Sequence, residues 1–81
     1  MKTKQQTNTA KNHPFVEITE REMGILVLIS EGKTNLEISE ILFLSEKTVR
    51  NYISSIFMKL NLSNRVEAAV FAINNRIQEY I

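Results

Sequence analysis

An all-α domain of four helices is predicted by three features of this 81-residue chain. Thr19 with Glu22, Thr34 with Glu37, and Asn64 with Glu67 each match a capping box, in which a polar side chain and a carboxylate three residues later satisfy the orphan amides of a helix start. After each of these starts, apolar residues recur at helical spacing. No segment shows the strict apolar-polar alternation of a half-buried strand.

Residues 1–14, "MKTKQQTNTAKNHP", hold almost nothing that could be buried to offset ordering entropy, and are expected to form a flexible, disordered polar tail. Lys2, Lys4 and Lys11 make it basic, so that residues 15–81 are net acidic although the whole chain carries a formal charge of +1. Two uses fit such a tail: a solvated terminus, or an arm that binds phosphates nonspecifically.

The first helix is expected over 20–31, with Ile25, Leu26 and Ile29 on its buried side and Gly32 as the left-handed residue that ends it. A second spans 35–42, burying Ile38, Ile41 and Leu42. Ser45 caps a third over 46–60, and Asn64 a fourth over 65–76. Between the second and third helices only Phe43 and Leu44 intervene, which forces a sharp change of direction and suits a helix-turn-helix unit.

Composition closes off several function classes. The chain has no Cys and no Asp, and its one His, His13, stands beside Pro14, so no metal, cofactor or enzymatic reaction is expected. No apolar run approaches bilayer length and no secretory signal opens the sequence, so a cytoplasmic protein without a membrane partner is expected.

The third helix carries the candidate chemistry. At 100° per residue Val49, Ile53, Ile56 and Leu60 form one stripe, while Lys47, Arg50, Asn51 and Ser54 lie opposite. Such a polar face is either ordinary solvated surface or a reader of DNA: Arg can bond bidentately to guanine and Asn to adenine in the major groove. Ser45, Thr34, Asn35 and Thr48 sit at helix N-termini, where phosphate oxygens are bound.

"TEREM", "EGKTNLEIS", "LSEKTVRNYISSI", "KL" and "RVEAAV", in this order and spacing between Ile18 and Val70, resemble the LuxR-type, or GerE-like, DNA-binding domain. The resemblance implies a four-helix domain whose third helix enters the major groove of double-stranded DNA and whose fourth pairs two protomers into a homodimer. It places Arg50, Asn51 and Ser54 at bases, and Thr34, Asn35, Lys47, Thr48 and Tyr52 at phosphates, to which the helix N-terminus adds Ser45. Ser39 stands where the family generally has Ala, so its hydroxyl must find a nearby carbonyl. Tyr52 replaces the usual His, and Ser54 replaces a frequent Lys or Arg, which shifts the expected reading toward Arg50. The resemblance also suggests an ion pair between Glu22 and Arg65, against which stands the alternative of two exposed charges.

The fourth helix is apolar on more than one side. Val66, Ala69, Val70, Ile73 and Ile77 form one stripe and are expected at a dimer interface; Ala68, Phe71 and Ala72 form much of another. The function implied is sequence-specific DNA binding in transcription regulation. Its rival is an interaction module of the same fold that binds RNA polymerase or another regulator.

Overall fold

Thr19, Thr34, Ser45 and Asn64 each cap a helix in the computed structural model, which describes residues 13–81. The helices are α1 (Glu20–Ser30), α2 (Asn35–Leu42), α3 (Glu46–Leu60) and α4 (Arg65–Asn74), followed by a 3-10 turn (Ile77–Tyr80). Of the expected tail, residues 1–12 lie outside the described residues. His13 and Pro14 are half-buried, and the His13 ring lies 4.8 Å from that of Tyr80.

Two helix starts are reciprocal boxes. Thr19 Oγ1 accepts from the Glu22 amide at 3.1 Å while the Thr19 amide donates to Glu22 Oε1 at 2.9 Å, and Thr34 with Glu37 repeats this at 3.1 and 2.8 Å. The third expected box is altered: Asn64 Oδ1 accepts from the Glu67 amide at 2.9 Å, but Glu67 Oε1 takes the amide of Ser63 instead. The chain enters α4 fully extended at Asn64 (φ −160°, ψ 174°), which brings the preceding amide within reach of the carboxylate.

The first three helices end alike. Gly32, Phe43 and Asn61 adopt left-handed backbones, and the next amide reaches back to the carbonyl five residues earlier: Lys33 to Leu28, Leu44 to Ser39 and Leu62 to Phe57, at 2.8–3.0 Å. At Phe43 this conformation costs about 1–2 kcal/mol, a cost that Gly at the same place would avoid. The Phe43 ring is also 94% exposed.

Ile25, Leu26 and Ile29 of α1 meet Ile38 of α2 and Val49, Ile53 and Ile56 of α3 in the core, as the helical spacing requires. Ser39, in the tight approach between α2 and α3, donates its hydroxyl to the Leu36 carbonyl at 2.6 Å, so burial leaves no orphan polar atom there. Ile41, expected in the core, is exposed: α2 is two turns long and packs mainly on α3, so Ile41 turns toward an apolar groove it shares with Met23, Leu28 and Tyr80.

The fourth helix differs most from expectation. Ala68 and Ala72 are the fully buried residues and let α4 approach α1 closely; Val66, Val70 and Ile73 face outward. Ile77 does not extend the outward stripe. Asn75 donates both its amide and its side-chain Nδ2 to the Phe71 carbonyl, Arg76 turns left-handed (φ 54°), and the chain folds back so that Ile77 enters the core, 2% exposed. Its assignment to a dimer interface is therefore wrong. Phe15 fills the same end of the core, edge-on to Phe71 at 5.7 Å and to Tyr80 at 5.3 Å.

Candidate nucleic-acid interface

Helix α3 is amphipathic in the direction a groove-binding helix needs. Val49, Ile53 and Ile56 seat it on α1 and α2, so Lys47, Arg50, Asn51 and Ser54 all emerge on the solvent side. Lys47 and Arg50 make no ion pair among the described residues, which leaves their charges available to an anion. A chain that is acidic over residues 15–81 thus gathers two unpaired cations on its exposed helix.

The candidate phosphate ligands lie around the starts of α2 and α3. Ser45 Oγ accepts from the Thr48 amide at 3.0 Å and donates to Thr48 Oγ1 at 2.9 Å, so the Thr48 hydroxyl keeps its own proton for an outside acceptor. Thr34 differs: its Oγ1 accepts from the Glu37 amide, and its hydroxyl also donates to the Glu37 carboxylate. That pairing, led by the backbone amide of Thr34, also holds the Glu37 carboxyl below the usual carboxylate range. Tyr52 is half-buried against the core and shares a small depression with Thr48, Asn51 and Ser55.

Behind α3 lies a buried carboxylate. Glu22, 3% exposed, accepts from Lys59 Nζ at 2.8 Å, from Ser55 Oγ at 2.9 Å and from the Thr19 amide. Burial pushes its carboxyl up, but the Lys59, Thr19 and Ser55 hydrogen bonds together with the Lys59 charge outweigh this, and the net position is lowered. The Glu22–Arg65 ion pair that the resemblance suggests does not form, because Lys59 occupies the carboxylate. Arg65 turns instead to Asn35 Oδ1, at 2.8 Å, and to the Lys33 carbonyl. A sequence signal for the true partner existed: Thr48, Tyr52, Ser55 and Lys59 follow one another at helical spacing along the flank of the buried stripe, and Glu22 falls in line with Leu26 and Ile29.

Two short helices joined through a left-handed turn, the second buried on one side and polar on the other, define a helix-turn-helix domain. The sequence model described as "Bacterial regulatory proteins, luxR family" matches residues 16–72, and the chain belongs to that family. It is 50% identical over 64 residues to transcriptional regulatory protein LiaR of Bacillus subtilis (strain 168), covering 79% of this chain and 30% of LiaR. It is 47% identical over 62 residues to the DNA-binding transcriptional activator DevR/DosR of Mycobacterium tuberculosis, covering 76% and 29%. Transcriptional regulatory protein DegU of Brevibacillus brevis is 42% identical over 62 residues, covering 76% and 26%. The chain thus spans less than a third of the length of these relatives. Among the described residues, no helix is long and apolar enough to cross a membrane.

Proposed function

We propose that this chain is a sequence-specific DNA-binding transcription regulator of the cytoplasm, with α3 in the major groove. The observation that carries the reading is the exposure of Lys47, Arg50, Asn51 and Ser54 together, directly behind which Val49, Ile53 and Ile56 are buried. Arg50 and Asn51 read base edges, with Ser54 permitting close approach, while Lys47, Thr48, Ser45, Thr34, Asn35 and Tyr52 engage phosphates. The names borne by the relatives, transcriptional regulatory proteins and a DNA-binding activator, support the same use.

Two copies pair through α4 on a partly symmetric site. Val66, Val70 and Ile73 follow one another at i, i+4 and i+7 on its outer side with half-buried Ala69 beside them, an apolar strip that a lone domain leaves in water. A second reading, a docking module for RNA polymerase or another regulator, is favoured by the exposure of Leu36 and Glu40 on α2 and of Phe43 in the turn that follows it.

Fluorescence anisotropy of labelled duplexes across a salt series, paired with sedimentation, tests the proposal. DNA binding predicts a steep loss of affinity with salt, and Lys47→Ala should make the log-log slope shallower by about 0.9. A protein that binds no duplex at low salt refutes the DNA reading and leaves the docking module.

A further inference from the structure

Arg65, the first residue of α4, holds the chain on both sides of the α2 cap. Its Nη1 donates to Asn35 Oδ1 at 2.8 Å and its Nη2 to the carbonyl of Lys33, while Thr34 between them is the N-cap. A guanidinium carries donors only, so the amide oxygen of Asn35 must face it and the NH2 group must turn away. Among the described residues, that NH2 group has no hydrogen-bond partner. An unheld asparagine presents oxygen or NH2 with equal ease, and an oxygen repels phosphate. One turned by Arg65 presents donors only.

We propose that Arg65 is a positioning residue for DNA binding: it holds Asn35 by its oxygen so that Nδ2 is offered to a phosphate. The proposal rests on the DNA-binding reading above and adds to it a residue outside the helix-turn-helix, together with the atom of Asn35 that makes the contact. The guanidinium places positive charge behind the amide, which favours the same ligand. Lysine does this less well, because its three donors rotate about one nitrogen and lack the rigid planar fork that spans two separated acceptors.

The test compares the wild type with Asn35→Asp, Asn35→Ala, Arg65→Lys and the Asn35→Ala/Arg65→Lys pair, by duplex binding and by thermal melting. Asn35→Asp keeps an acceptor for Arg65 and should melt no lower than the wild type, yet it sets a carboxylate against phosphate and should bind every duplex about tenfold more weakly or worse. Arg65→Lys should weaken binding in the wild-type background and have little further effect once Asn35 is Ala, because its action passes through that amide. If Asn35→Asp binds like the wild type, or if Arg65→Lys costs the same affinity with and without Asn35, the proposal is overturned. Asn35→Asp decides even where Arg65→Lys fails to fold. A wild type that binds no duplex removes the DNA reading and this proposal with it, whereas a wild type that binds beside an equally competent Asn35→Asp removes this proposal alone.

Discussion

Lys59 Nζ lies 2.8 Å from Oε1 of Glu22, tying the last turn of α3 to the first turn of α1 across 37 residues of sequence. The same carboxylate closes the Thr19 cap and receives Ser55, so one buried group fixes where α1 starts and how α3 leans on it.

Replacing Glu22 by Gln keeps the shape and removes the charge. Lys59 is partly exposed and can turn to water, so the loss should be about 1–3 kcal/mol, read as a lower urea midpoint with an unchanged m-value. The pH dependence follows from the lowered carboxyl of Glu22. Its contribution is fully present above the unfolded-state value and is lost as pH falls through the folded one, so wild-type stability should decline on acidification below about pH 5. Glu22→Gln should decline less steeply over that range, retaining the part due to Glu37, which is shifted in the same direction. Parallel curves for the two proteins would refute the role given to Glu22.

Gly24 lies inside α1, and a Cβ added there meets no atom within 4 Å. Gly24→Ala should therefore stabilise the domain by about 1 kcal/mol through helix propensity and the less flexible unfolded chain. In a domain of this size that raises the melting temperature by about 4–8 °C. A lower melting temperature would show that the open groove beside α1 is needed by the fold.

Val70 is half-exposed on the outer side of α4, whereas Ala72 is completely buried. Val70→Glu should yield a folded monomer by circular dichroism and sedimentation, with lost affinity for a two-half-site duplex and retained affinity for one half-site. Ala72→Glu, the control, should not fold. A wild type that stays monomeric both free and on DNA would remove the dimer.

Local signals were the ones the sequence made legible. The caps at Thr19 and Thr34 depend on groups three residues apart, and Val49, Ile53 and Ile56 on a period of one helix, so both could be placed without knowing the fold. Helix α4 offered two apolar faces of comparable quality. Only the tertiary contact with α1 decides that Ala68 and Ala72 go in and Val66, Val70 and Ile73 stay out. The turn-back that buries Ile77 depends on Asn75 competing for a helix carbonyl, which periodicity does not register. Glu22 could be seen as a cap, and the spacing of Ser55 and Lys59 puts both on the flank of the buried stripe. That the Glu22 carboxylate and this flank meet is decided only by the packing of α1 on α3. On the candidate interface, the exposed side of α3 was legible from its own spacing, whereas the hold of Arg65 on Asn35 joins two helix starts that only the folded chain brings together.

The central claim is that the exposed side of α3 reads bases through Arg50. Selection of bound sequences from a random duplex pool, run in parallel with wild type and Arg50→Ala, measures this most directly. A shared motif should emerge for the wild type, and Arg50→Ala should lose preference at one base pair per half-site with affinity lower by about 1–3 kcal/mol. An Arg50→Ala protein that selects the same motif with the same affinity would contradict the orientation given to α3.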